Sequence, residues 1–201
     1  MIKKTEGIIL RVTPYSESDA VCLIYTKSYG KKSFFVKGGL SKRSKKRVYL
    51  KEGLWVEIVF YEKSSRQLQK LTDIHLVQHF MDISTHPIKL CLWLNMIEVF
   101  RDVIYEEELP DEDLYNFLIQ SKASLENCTS NWEEVWIHFH MDLLAQIGYG
   151  GNMVSDYSNN EYGLSKNFVS KAYRVYEDYA KHIEGFRIPK SFEVLKQMLG
   201  V

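Results

Sequence analysis

Cysteine, proline and glycine are all sparse, at 3, 4 and 11 of 201 residues. Cys22, Cys91 and Cys128 are odd in number and widely separated, which excludes a disulfide framework and fits a reducing cytosol. So little glycine and proline excludes a collagenous or low-complexity chain. Long apolar runs are also missing. Segments such as Leu90–Leu94 are a few residues long, whereas a bilayer-spanning helix needs about 20. Met1-Ile2-Lys3-Lys4 leads directly into an alternating pattern, without the apolar core of a signal peptide. Net charge of one sign is absent too, with 26 basic and 26 acidic residues. What remains is 45% hydrophobic and 13% aromatic, enough for one core or two small ones in a soluble globular protein.

The zero net charge hides a division. Residues 1–80 carry 16 Lys and Arg against 7 Asp and Glu, a net of +9, and residues 81–201 carry 10 against 19, a net of −9. The division coincides with a change of hydrophobic period. Before residue 80 the pattern has period two: Ile8, Leu10 and Val12; Val21, Leu23 and Tyr25; Phe34 and Val36; Leu54, Val56, Ile58 and Phe60; and a fifth run of mixed phase from Leu68 to Val77. Breakers at Pro14, Gly30, Gly38-Gly39 and Ser64-Ser65 separate these runs, so five short strands in a small barrel or meander are expected.

After residue 80 the spacing becomes helical. Leu90, Trp93, Leu94, Ile97 and Ile104 share a face, as do Leu114, Phe117, Leu118, Ser121 and Leu125. Trp132, Val135, Trp136, Phe139, Leu143 and Ile147 form a third stripe, Phe168 to Ile183 a fourth, and Phe192, Leu195 and Leu199 a shorter fifth. Pro87, Pro110 and Pro189 sit where helices start. Asp111, Glu112 and Asp113 suit a helix N-terminus. Ser130 with Glu133 has capping-box spacing, and Gly148 and Gly150-Gly151 suit a helix end. Two domains are expected, 1–80 and 81–201, with Met81–Pro87 as the connector.

Residues 37–51 place seven cations (Lys37, Lys42, Arg43, Lys45, Lys46, Arg47 and Lys51) in fifteen positions with no acid among them. Such a run repels itself unless partnered, and a phosphate backbone is the natural partner, because each neutralised phosphate releases counterions. The preceding strand adds a face of Lys31, Ser33, Phe35 and Lys37, with Lys32 alongside and Arg11 extending the surface from the first strand. A cationic strand face with an exposed ring suits sequence-tolerant binding of single strands.

The segments Gly7-Ile8-Ile9-Leu10-Arg11, Tyr15-Ser16-Glu17-Ser18-Asp19, Leu23, Thr26, Gly30, Val36-Lys37-Gly38 and the basic run Ser44–Arg47 resemble the RecO family of bacterial recombination mediators, with a looser match at Leu143-Leu144, Ile147-Gly148-Tyr149 and Asn152. The resemblance implies an α+β protein: an N-terminal OB-fold β-barrel over 1–80, then an all-α domain over 81–201. It implies binding of single- and double-stranded DNA, annealing of complementary strands, and loading of RecA in the RecF pathway with RecR and the single-stranded-DNA-binding protein. That protein's acidic, apolar-ended tail would dock in the helical domain. A cytoplasmic, nucleoid-associated place follows from the same resemblance. Two departures stand out. Many members carry a four-cysteine zinc knuckle after the Leu-Gly-Tyr segment, but Gly150–Asn160 contains no cysteine. Four N or S ligands are needed for such a site, so no metal and no other cofactor is expected. Leu50 is followed by Lys51-Glu52 where the family often has Gln-Pro.

Other candidates reduce to structural roles. His138 and His140, about 200° apart on a helix, cannot share an ion. His75, His79 and His86 fall near the domain junction. The acidic run Glu106–Glu108 with Asp111–Asp113 suits a solvated helix start, and Glu17 with Asp19 suits bracing of a turn. Tyr173, Tyr176 and Tyr179 have core or groove-lining spacing. No nucleophile elbow, phosphate loop or zinc-protease motif is present, so no enzyme is expected. A protein–protein adaptor whose basic half docks an acidic partner is the alternative, and an RNA-binding OB module in translation stays open on charge alone.

Overall fold

In the computed structural model, which describes residues 1–63, 67–105, 109–149 and 167–200, the period-two segments pair into a closed barrel. Its strands are β1 (Ile2–Pro14), β2 (Ala20–Thr26), β3 (Gly30–Val36), β4 (Trp55–Tyr61) and β5 (Leu68–Leu76). They are ordered β1-β2-β3-β5-β4, and β4 returns to β1. All pairings are antiparallel except β3 with β5. This is the partly crossed, Greek-key arrangement of an OB-like barrel.

Closure depends on β1, which pairs with β4 through its first half and with β2 through its second. Gly7 belongs to both ladders. A Cβ there would lie 2.6 Å from Ile24 Cγ2 and 2.7 Å from the Tyr25 carbonyl oxygen, so only glycine allows the strands this close. A bulge between Ile9 and Arg11 re-phases the strand. Ile9 joins Cys22, Ile24, Phe34, Val36, Val56, Ile58, Phe60, Leu71 and Ile74 in the barrel core, and Arg11 turns outward, exposed.

A second bulge explains the mixed phase of the fifth run. Val59 pairs with Asp73 but Phe60 pairs with Leu71, leaving Thr72 as the extra residue. Its hydroxyl donates to the Val59 carbonyl at 2.9 Å. Leu71 and Ile74 can therefore both enter the core although they are three residues apart.

The helices are α1 (Met81–Thr85), α2 (Pro87–Val103), α3 (Glu112–Asn127), α4 (Trp132–Gln146), α5 (Phe168–His182) and α6 (Lys190–Leu199). α1 occupies what reads as a connector in the sequence. α2 packs on α4 and α6, and α4 on α5. The chain forms two compact units: Met1–His79 with Ile104–Asn116, and Phe80–Val103 with Phe117–Val201.

Two helix starts in the second unit are capped from a neighbouring helix. Glu98 of α2 accepts the Lys190 and Ser191 N–H groups at 3.2 and 2.9 Å and the Ser191 hydroxyl at 2.6 Å, at the start of α6. Glu126 of α3 accepts the Asp82 and Ile83 N–H groups of α1 at 3.0 and 2.9 Å. The capping box expected at Ser130 does not form. α4 starts after Asn131 with no side-chain cap, one residue later than the Ser130 pattern needs, and Glu133 instead forms a buried ion pair with Lys171 of α5 at 2.7 Å. The expected stop at Gly150-Gly151, the turn at Ser64-Ser65, the acidic run Glu106–Glu108, Asn152 and the cysteine-free segment through Asn160 lie outside the described residues.

At the centre of this unit, Asn95 Oδ1 accepts from Trp136 Nε1 at 2.8 Å and from the Tyr176 hydroxyl at 2.9 Å, and its amide donates to Ser191 Oγ at 3.2 Å. Tyr176 and Tyr179 are core residues. His138 is exposed whereas His140 is fully buried, so the two diverge as their spacing requires. Burial pushes the His140 imidazole down to about 3, and it stays neutral beside the Tyr179 hydroxyl.

Candidate nucleic-acid interface

The outer face of the barrel is built of cross-strand rows, and its two ends differ. One row runs Lys31, Tyr25, Ile8, Trp55. Lys31, Tyr25 and Ile8 are buried although they point away from the barrel core. Ile104 and Tyr115 of the same unit meet this row. The Lys31 ammonium donates to the Ile104 carbonyl, and Trp55 Nε1 donates to the Tyr115 hydroxyl at 2.9 Å. Lys31 is only 8% exposed. Its charge is therefore directed inward, and the sequence expectation that it faces a ligand gives way to a bracing role.

Two rows at the other end are open. One runs Arg11, Leu23, Ser33, Leu68, and the next Thr13, Val21, Phe35, Lys70, Tyr61. Arg11 and Phe35 thus share one face, because the bulge after Ile9 turns Arg11 outward where strict alternation would have placed it with Ile9. Phe35 is half-buried and Tyr61 is 45% exposed. The Tyr15 ring stands edge-on to Phe35, with centroids 5.5 Å apart. Phe35, Lys37, Tyr61, Lys63, Leu68, Gln69 and Lys70 line a cleft of about 570 Å³ here. No carboxylate is among these residues. Lys32 is half-buried and has the inward phase of Phe34 and Val36, so it does not share the Phe35 face.

Lys37 connects the cleft to the cationic run. Gly38 follows at φ +64°, a left-handed conformation that suits glycine. Its N–H donates to Asp19 Oδ1 at 2.7 Å, the main reason the Asp19 carboxyl is held below its usual range. Asp19 braces the turn, as its spacing suggests. Lys45–Tyr49 then form a short 3-10 helix, with Ser44 Oγ accepting the Lys46 N–H at 3.3 Å. Leu50 packs this segment onto the barrel core.

Lys42, Arg43, Lys45, Arg47 and Lys51 are exposed, and no ion pair joins them to a described residue. Lys46 is half-buried. Its charge adds to the lowering of the Asp73 carboxyl, which is due first to the Ile74 N–H.

Sequence reasoning missed Tyr61, Lys63, Leu68 and Lys70. The parallel β3–β5 pairing brings them beside Phe35, and no local pattern announces a parallel pairing. Among the described residues no group of three or more His, Cys, Asp or Glu side chains could hold a metal ion. No helix among them is long and apolar enough to cross a membrane.

A closed five-stranded barrel followed by packed helices defines an α+β protein with an OB-like N-terminal domain. The comparisons narrow this class. Residues 1–80 match the family model described as Recombination protein O N terminal. A protein named DNA repair protein RecO from Christiangramia forsetii is 26% identical, with all of both chains covered. The protein of that name from Flavobacterium psychrophilum is 24% identical over 98% of this chain and 99% of its own. The one from Pelodictyon phaeoclathratiforme is 28% identical over 74% of this chain and 57% of its own length. Residues 1–80 thus match the N-terminal domain of the RecO proteins, and the chain as a whole is similar to proteins named DNA repair protein RecO.

Proposed function

We propose that the protein is a recombination mediator that binds single- and double-stranded DNA through residues 1–80. It anneals complementary strands there, and with RecR and the single-stranded-DNA-binding protein it helps load RecA in the RecF pathway. Within residues 81–201, the helical part outside Ile104–Asn116, a segment that groups with the barrel rather than with the helices as the sequence boundary expects, receives the single-strand-binding protein's tail. The work is binding rather than bond chemistry, done at the nucleoid in the cytoplasm. Arg11, Phe35, Lys37, Lys42, Arg43, Lys45, Lys46, Arg47 and Lys51 contact DNA, with Lys32 at the margin.

The observation that carries this reading is the exposed run of cations beside an open aromatic face. Charges that served only the fold would be paired or buried. Apart from the half-buried Lys46, these are exposed with no ion pair to a described residue, and a polyanion would neutralise them with release of its counterions. Two strands held on one such surface have their mutual repulsion reduced, which favours annealing.

A salt titration of fluorescent single-strand binding tests the reading. If about 4–6 phosphates are neutralised, log K against log salt falls with a slope of roughly −3 to −4. Changing Lys42, Arg43, Lys45, Lys46 and Arg47 together to Glu abolishes binding and leaves the thermal melt in place. A flat salt response sinks the reading, and retained affinity in the reversed variant moves the site elsewhere.

A further inference from the structure

The cationic run and the cleft differ in what they can recognise. Exposed lysines and arginines on a loop can grip phosphates, and phosphates are present on single strands and duplexes alike. Rings need something else. A paired base has both faces covered by its neighbours in the stack, whereas an unpaired base offers a free face to an aromatic side chain. The cleft presents such rings in one row. Phe35 and Tyr61 stand on either side of Lys70, on strands that are both paired to β5. With neighbouring strands about 4.8 Å apart, the two ring-bearing positions are about 10 Å apart. Tyr15, 70% exposed, extends the row beyond Phe35.

The polar groups around the rings are of two kinds. Lys37, Lys63 and Lys70 are exposed at the cleft and suit the phosphates on either side of a base. Gln69 is the uncharged polar side chain among the described lining residues, and its amide is engaged with the protein itself. Its Oε1 accepts the Lys63 N–H at 2.8 Å and its Nε2 donates to the Lys63 carbonyl at 3.0 Å. A base edge would find no free amide there to read it. The chemistry is therefore stacking plus phosphate charge, without base identity.

Building on the DNA-binding function proposed above, we infer that the Phe35–Tyr61 cleft seats an unpaired base of single-stranded DNA, and that it distinguishes single strands from duplex while the cationic run does not.

The test compares the intact chain with a Phe35→Leu, Tyr61→Leu variant, which keeps apolar bulk but removes both rings. Binding is measured to oligo-dT, to a duplex with the same number of phosphates, and to an abasic strand. Affinity for oligo-dT falls roughly tenfold to a hundredfold, affinity for duplex changes less than about twofold, and the salt slopes stay as they were. The intact chain binds the abasic strand about as weakly as the variant binds oligo-dT. An equal loss on both DNAs, or no loss on oligo-dT, overturns the inference. A cleft that takes a peptide side chain instead gives that second result. Tyr61→Leu alone, at an exposed position, repeats the comparison if the double variant melts early. If the intact chain binds neither oligo-dT nor duplex, the DNA-binding proposal itself fails. Binding to both with unaltered preference in the variant defeats only the role of the cleft.

Discussion

The two units use charge in opposite ways. In the helical unit charges are spent on the fold. Glu98 and Glu126 cap neighbouring helices, Glu133 pairs with Lys171, and Lys89, 1% exposed, donates to Asp82 and to the Glu126 carbonyl. In the barrel unit Lys31 is used this way, but the run from Lys42 to Lys51 is not. Buried polar groups without partners are costly, and Glu98, Glu133 and Lys89 are matched by donors or acceptors that sequence distance does not reveal. Exposed cations carry no such requirement, and their cost is only mutual repulsion. Stability experiments should therefore separate the units sharply: large losses where charge and polarity are internal, near silence where they are external.

The largest effect is expected at Asn95. Changing Asn95→Leu keeps the volume but removes the acceptor shared by Trp136 Nε1 and the Tyr176 hydroxyl. Two buried donors are left unpaired, at about 1–3 kcal/mol each. A urea melt should show a loss of about 2–6 kcal/mol. A loss below about 1 kcal/mol would mean that these donors find new partners, and the internal network would lose its claim as the organising feature of the unit.

His140 gives the next effect, and it is read by pH. Its folded-state value, near 3, is below the ordinary 6.5. The unfolded chain therefore takes up a proton below pH 6.5 while the folded chain does not, and stability falls as pH drops until it levels off near pH 3. Each pH unit in that window costs about 1.4 kcal/mol. Between pH 6.5 and 5 the native chain should lose about 2 kcal/mol, and a His140→Phe variant should lose little. Parallel curves for the two proteins would show that the imidazole is not held neutral.

Glu98 acts lower on the pH scale and more weakly. Burial raises its carboxyl, but the Ser191 hydroxyl and the Ser191 and Lys190 N–H groups outweigh it and hold the carboxyl below 4.5. Its contribution is complete above pH 4.5 and is lost as pH falls through the lower, folded-state value. Glu98→Gln should cost about 1 kcal/mol at pH 7, the size of a helix cap, and should flatten the acid end of the stability curve. The loss from Glu98 begins only below pH 4.5, so a loss between pH 6.5 and 5 reports His140 and not Glu98, and the variants distinguish the two groups.

The same contrast accounts for what the sequence made legible. Strands and helices were readable because Phe34, Val36 and Ile58 in the barrel, and Trp136 and Leu143 in the helical unit, keep strict periods against the core of their own unit. The cationic run was readable because its residues are adjacent in the chain. The mixed phase of β5 was visible, but the bulge at Thr72 that causes it depends on the partner strand. The inward turn of Lys31 depends on Ile104, 73 residues away. Ser130 and Glu133 carry a local capping pattern, but the helix starts one residue later, after Asn131, and Glu133 pairs with the distant Lys171. The cleft needs a parallel pairing between β3 and β5, and nothing near Phe35 specifies its neighbours on β5. Contacts whose partners are close in sequence were legible, and those made by topology were not.

The smallest effect is the most discriminating. Changing Lys42, Arg43, Lys45, Lys46 and Arg47 to Gln removes five charges from one short segment. Were those charges part of the fold, as in the helical unit, a loss of several kcal/mol would follow. Four exposed positions and the half-buried Lys46, none joined by an ion pair to a described residue, predict a change within about ±0.5 kcal/mol at low salt. The sign should favour the variant, because self-repulsion is relieved. Salt should erase even that, since repulsion among exposed charges is screened beyond about 10 Å at 0.1 M. A chemical melt at two ionic strengths decides it. A variant destabilised at both would show that the run is held by contacts within the protein, and the division of labour between the two units would fail at the place where it matters most for DNA.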